Sequence, residues 1–228
     1  MKAFVILLLL SFFIPDTFSQ KPEIKKPDYK GIKKIIEDKS SPFYYPELFR
    51  RFTESDTTLT SQDFRVLYYG YLFNNSYHVF GVSDYTDSLN SILKRDSLGT
   101  DDYKAIIKYE KLILDEAPFN LRDLNFLGFA YSHTGDTLDL HQIAFKLNMI
   151  IGTILSTGDG KTEATAWHVI SISHEYDILG VLGFRFGGTQ SLTKKGCDYL
   201  QVAENDNGIK GLYFDVNMVL RKESEIFK

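Results

Sequence analysis

The apolar residues of this chain change their spacing near residue 158, and that change limits the fold more than any other feature. From Tyr29 to Leu155 they recur every three to four positions; from Ala164 to Leu220 they alternate. A helix returns a side chain to the same face every 3.6 residues and a strand every second residue. Helices first and strands after them is the order of the α+β class. The expected architecture is a set of N-terminal helical hairpins followed by a small C-terminal antiparallel sheet of about four strands.

The helical stretch carries its own punctuation. Tyr29, Ile32 and Ile36 share a face, and Pro42 and Pro46 bracket the entry to a second helix with Leu48, Phe49 and Phe52. Thr60 and Asp63 have the spacing of a capping box, ahead of a stripe formed by Phe64, Leu67, Tyr68, Tyr71 and Leu72. A polar break at 74–85 leads to a weaker helix, 85–98. Thr100 caps the next one, with Asp101 and Asp102 in its first turn, and Pro118 stops it. Two more follow, over 121–132 and from Leu140 to Gly158. Leu124-x-x-Leu127-Gly128-x-x-Tyr131 resembles the first helix of a tetratricopeptide repeat, and Val66-x-x-Tyr69-Gly70-x-x-Phe73 is a poorer copy. The glycine spacing does not fit a regular array, so helical hairpins of that general kind are expected. In the alternating part, strands are expected over 164–173, 176–187, 197–204 and 210–221. Gly187-Gly188 and Asn205-Asp206-Asn207-Gly208 supply turns.

The first residues read as a secretory signal. Lys2 precedes an almost wholly apolar run from Ala3 to Ile14, Pro15 and Asp16 end it, and Thr17-Phe18-Ser19 places small residues before a cut at Ser19/Gln20. The run is shorter than the roughly 20 residues a membrane span needs. The expected organisation is a signal peptide over 1–19, a flexible leader over 20–27, a helical region over 28–158 and a β region over 159–228 packed on it. The protein is then exported, to periplasm or medium, and soluble after cleavage. No cysteine lies near the cut, which closes the lipoprotein route, and no membrane anchor is expected. Cys197 is the sole cysteine, so no intrachain disulfide forms and packing must supply the stability. The net charge is −4 with the signs interspersed, which excludes the basic face that nucleic acid requires. The lysines at 21, 25, 26, 30, 33 and 34 surround the mature N-terminus and read as a solvated arm.

The chemistry-bearing motifs are few. Gly158-Asp159-Gly160-Lys161-Thr162 ends like a phosphate-binding loop, but Leu155 stands where the first glycine belongs, and the flanking elements are in the wrong order. The reading is a glycine-rich helix cap and turn, with Asp159 and Gly160 as candidate binding positions. The richest polar stretch is Trp167 to Asp177, with His168, His174, Glu175 and Tyr176 as further candidates beside Trp167. On an extended strand the two histidines would lie about 20 Å apart, so they are not expected to share a metal, and no metal or other cofactor is expected. Cys197 follows two lysines, but it opens a strand pattern and reads as a packed small residue. Four Asp-Ser/Thr-x triplets place Thr57, Ser88, Ser97 and Thr137 in a pattern similar to the O-glycan acceptor of exported Bacteroidetes-type proteins; the same residues also serve as helix caps.

Two segments, 64–73 (FRVLYYGYLF) and 158–179 (GDGKTEATAWHVISISHEYDIL), resemble an uncharacterised exported Bacteroidetes-type family, domain of unknown function 4919. The resemblance implies location and architecture, not an activity. It marks Asp159, Gly160, Glu175 and Tyr176 as the first positions to test. The functional expectation is a non-enzymatic protein- or ligand-binding scaffold module of the bacterial cell envelope, with an envelope protein or peptide as partner. The alternative is a hydrolase or metal-dependent enzyme using the His168–Asp177 region.

Overall fold

The computed structural model of the chain describes residues 24–79 and 83–226. The signal peptide and the first part of the leader expected from the sequence lie outside the described residues. α1 (Tyr29–Glu37) is capped by Asp28, whose carboxylate accepts from Gly31 N at 3.0 Å, and it buries Ile32 and Ile36. α2 (Tyr45–Thr53) has Pro46 in its first turn and buries Tyr45, Leu48 and Phe52. α3 (Ser61–Gly70) opens with the expected capping box of Thr60 and Asp63. It is buried nearly all round, because it lies between α1, α2 and α7 (Thr137–Leu155). Gly70 lets this contact close: a Cβ there would stand 3.2 Å from Tyr45 and 3.3 Å from Ile36.

α4 (Thr86–Leu93), α5 (Thr100–Glu116), α6 (Leu121–Thr134) and α7 pack on one another in chain order. The cap of α5 is Gly99 rather than Thr100: the Gly99 N–H donates to Asp102 at 2.9 Å, and Thr100 is the first helical residue. Gly135, at φ 81, ends α6 in the left-handed conformation that favours glycine. Leu89, Ile92, Ile106, Ile113 and Ala130 form a small second core under α4, α5 and α6. No helix among the described residues is long and apolar enough to cross a membrane.

The C-terminal part holds a four-stranded sheet in the order β1-β4-β3-β2, comprising β1 (Trp167–His168), β2 (Phe186–Leu192), β3 (Cys197–Val202) and β4 (Gly211–Asp215). β2–β3 and β3–β4 are antiparallel, as the alternation implies. β1 lies parallel to β4, so the sheet is mixed. The first expected strand shrinks to two residues. The second, 176–187, gives way to α8 (Ser173–Val181) and only its end joins β2. The buried set His174, Glu175, Ile178 and Leu179 follows a helical face, not an alternating one. The last expected strand stops at Asp215, whose carboxylate accepts from Asn217 N at 3.1 Å, and α9 (Asn217–Ile226) begins there. Alternation therefore continued by coincidence into Met218 and Leu220, and the 159–228 region is helical as well as β.

Tyrosines on α3 tie the two parts together. Tyr69 donates to the His168 carbonyl at 3.1 Å, and Tyr77, beyond the helix, donates to the Ile170 carbonyl at 2.7 Å. A buried phenol contributes a large apolar ring but must place its hydroxyl on an acceptor. The backbone at the end of β1 and just beyond it provides those acceptors.

Candidate functional site

α8 positions three of the candidate residues, and its turns send them in different directions. His174 points into the core. Its Nε2 lies 2.9 Å from the Phe119 carbonyl, which can only accept, so Nε2 carries the proton. Nδ1 is then the acceptor for the Tyr68 hydroxyl at 2.7 Å, and that hydroxyl accepts from Ile170 N at 3.4 Å. Burial drives the imidazole pKa down to about 4. His174 is thus a neutral structural histidine with both nitrogens engaged.

The next residue turns toward the sheet. Glu175 is fully buried, and its carboxyl faces Asp198 on β3. Burial, with the charge of Asp198 and a hydrogen bond to it, pushes Glu175 up to about 9. Two carboxyl groups at close range cannot both ionise cheaply in a dry site, so one keeps its proton. Gln190 on β2 bridges the pair: its Nε2 donates to Asp198 Oδ2 at 2.6 Å and to Glu175 Oε2 at 3.3 Å. The Tyr176 hydroxyl donates to Gln190 Oε1, and the Tyr176 ring meets Phe186 edge-on at 5.3 Å. Glu175 Oε1 has no hydrogen-bond partner. The result is a proton-sharing acid pair beneath an amide, covered by two aromatic rings at the outer strand of the sheet. Asp198, Gln190 and Phe186 were not singled out from the sequence. An acid inside the apolar strand pattern 197–204 was a signal for Asp198; nothing in the sequence marked Gln190.

Asp159, Gly160, Trp167 and His168 belong elsewhere. Gly160 has φ 66, and a Cβ on it would lie 2.3 Å from the Trp167 ring. A Cβ on Gly158 would lie 2.0 Å from the Thr165 carbonyl oxygen. Trp167 Nε1 donates to the Gly158 carbonyl at 2.9 Å. The Gly-Asp-Gly turn therefore closes on the indole, and its glycines are required by space. The Asp159 carboxylate accepts from Lys161 N at 3.1 Å and is held below its usual range, first by a hydrogen bond from Thr165. His168 is buried with Nδ1 at 3.2 Å from the Tyr29 hydroxyl and 3.8 Å from Asp215. Burial lowers its pKa, Asp215 opposes that shift, and Lys26 and Arg65 add to it. No hydrogen bond or ring contact among the described residues links Asp159 to His174, Glu175 or Tyr176.

Burial pushes the Cys197 thiol up to about 11, which is the wrong direction for a nucleophile. Among the described residues no three of His, Cys, Asp and Glu are grouped as a metal ion would need. Thr57, Ser97 and Thr137 are exposed and Ser88 is half-buried.

The model of the family described as domain of unknown function 4919 matches residues 30–225, and the chain belongs to that family. No curated protein and no solved structure matches it.

Proposed function

For this member of the domain of unknown function 4919 family, we propose a non-enzymatic binding module of the bacterial cell envelope that holds an extended peptide segment along β2. One observation carries the reading: β2 is the outer strand of the sheet, and all seven of its residues are exposed. An edge strand presents backbone N–H and C=O groups to whatever extended chain arrives, and strand addition completes the ladder. The pairing of β2 with β3 is regular from Gln190 to Leu192 and irregular between Phe186 and Gln190. The peptide therefore pairs at the Leu192 end. Leu192, 56% exposed, and Phe186, 38% exposed, give it apolar contacts.

Panning a random peptide library against the purified protein tests this. The expected result is a set of peptides that protect the β2 amides from hydrogen exchange and lose binding in Leu192→Lys. Peptides that bind without protecting β2, or no enrichment at all, would end the proposal. The exported location, periplasm or medium, rests on the sequence of residues 1–19, with Thr57, Ser97 and Thr137 as exposed sites for O-glycans and Ser88 less accessible. Intact mass and N-terminal sequencing of the exported protein test both, the expected start being Gln20.

A second reading, an acid–base hydrolase within His168–Asp177, has the Glu175–Asp198 pair in its favour, since a carboxyl that keeps its proton at neutral pH is the form a general acid needs. Hydrolysis by the wild type but not by Glu175→Gln would support it over the binding module.

A further inference from the structure

A second site lies away from the acid pair, where α1 and α3 begin. A groove of about 430 Å³ opens there, its lining including Lys25, Lys26, Gln62 and Arg65 together with the half-buried Ile35. That volume suits a small organic molecule rather than a single ion. Among the described residues two of its cations lack acidic partners. Arg65 donates to the Ser156 hydroxyl at 3.2 Å and to the Lys25 carbonyl, both neutral oxygens, and its guanidinium stacks over Tyr69 at 5.6 Å. Among the described residues neither Arg65 nor Lys26 forms an ion pair with a carboxylate. The carboxylate in the lining, Asp28, is turned to the first turn of α1, where it accepts from Gly31 N. The charges of Arg65 and Lys26 reach inward as well, since both act on the buried His168.

We propose that this groove binds a small amphipathic anion, its phosphate or carboxylate head on Lys26 and Arg65 and its apolar body along the half-buried Ile35. An anion satisfies what the fold leaves open among the described residues: two cations lining one groove, neither of them in an ion pair with a carboxylate. Arg65 is already held in place by Ser156, Lys25 and Tyr69, so little side-chain freedom is lost when the head binds. The apolar wall then separates this ligand from a bare inorganic ion.

Binding must also be felt at His168. A negative head beside Lys26 and Arg65 offsets their field, and so it raises the affinity of His168 for a proton; protonation of His168 in turn favours the anion. This link gives the test a readout that an unspecific surface contact does not move.

The purified protein is titrated with hexyl phosphate, hexanoate and inorganic phosphate while the imidazole signals are followed by NMR. Hexyl phosphate and hexanoate are expected to saturate, each at least about tenfold tighter than inorganic phosphate, because the tail adds buried methylenes. The His168 pKa is expected to rise on saturation, while the ring signals of exposed His141 stay where they are. Lys26→Gln, a change at an exposed side chain, and Arg65→Gln are each expected to weaken hexyl phosphate by about tenfold or more. Failure of either organic anion to saturate overturns the proposal. So does equal affinity for inorganic phosphate, binding that survives Lys26→Gln unchanged, or saturation with no response at His168.

Discussion

Among the described residues two glutamates are sealed from water, one in the helical part and one beside the sheet, and the fold treats them differently. Glu110 on α5 and Glu175 on α8 are both fully buried, and both are pushed up to about 9, chiefly by burial. Glu175 has company: Gln190 donates to it, and Asp198 shares its proton. Glu110 has none; neither oxygen meets a hydrogen-bond partner, and its one charged influence is the like charge of Asp123. The same residue type is thus part of a network in one place and an unrewarded desolvation in the other. A buried polar group left unpaired costs about 1–3 kcal/mol, so Glu110 is a net expense to the helical part while Glu175 holds α8 to β2 and β3.

The largest expected effect comes from pH, and it acts on both groups in the same sense. Each holds, in the folded chain, a proton that the unfolded chain releases near the ordinary value of 4.5. The stability they lend is whole below that value and is lost as pH rises through about 9. Asp123 and Asp177, raised to about 6 chiefly by burial, lose theirs earlier, as pH rises from 3.8 through about 6. His174 works the other way: lowered from 6.5 to about 4, it gives full stability above 6.5 and loses it as pH falls through about 4. The melting temperature is therefore expected to fall steadily between pH 7 and 9. Glu110→Met and Glu175→Met should each flatten that fall, and the double variant should flatten it most. A wild-type melting temperature constant over this window would mean that the two carboxyls are already ionised, and the comparison would collapse.

The next effect separates the two sites by sign. At pH 7 Glu110→Met replaces an unpaired carboxyl with an apolar chain of similar length, and a gain of about 1–3 kcal/mol is expected. Glu175→Met removes a partner of Gln190 and Asp198, and a loss of about 1–3 kcal/mol is expected. Urea unfolding of the two variants measures both. Two losses of equal size would show that Glu110 makes contacts through its carboxyl after all.

How far the sequence foretold these sites follows from what each depends on. α3 was legible because its cap, stripe and end are local: Thr60, Asp63 and the apolar spacing lie within one segment. The pairing β3–β4 was legible for the same reason. α8 was not, because the residues before it alternate, and its helical face is defined by Ile178 and Leu179 meeting the core. α9 was hidden by an apolar alternation that runs across the Asp215 turn. The acid pair was half legible. Glu175 and Tyr176 stood out as polar residues in a rich stretch, but they fell at the junction of two expected strands, 164–173 and 176–187, which gave Glu175 no face of its own. Only the helix turns Glu175 toward β3, and only the antiparallel pairing of Gln190 with Leu200 and of Leu192 with Asp198 brings an amide and a second acid to it. Glu110 was illegible for a plainer reason: an acid among lysines on a helix reads as a solvated face, and its burial comes from packing between helices, α6 against α5, which the spacing within α5 does not reveal.

The smallest effect sharpens the comparison most. Glu175→Gln and Glu110→Gln keep shape and, at pH 7, charge, because both acids are protonated there. Each change is therefore expected to alter stability by less than about 1 kcal/mol, where an ionised, paired carboxylate would cost several times that. The two should still differ. A glutamine at 175 can donate to Asp198 in place of the shared proton, so it keeps the bridge through Gln190. A glutamine at 110 brings an NH₂ where the carboxyl brought one O–H, and adds a buried donor to a place that already lacks acceptors. Glu110→Gln should thus be the more harmful by a few tenths of a kcal/mol, resolvable by urea unfolding if both variants are measured together. In both variants the alkaline fall of the melting temperature should shrink as it does with methionine, because the titrating group is gone. If Glu175→Gln instead proves the costlier, the proton lies on Asp198 and Glu175 is its acceptor, which would reverse the direction of the bridge while leaving its geometry intact.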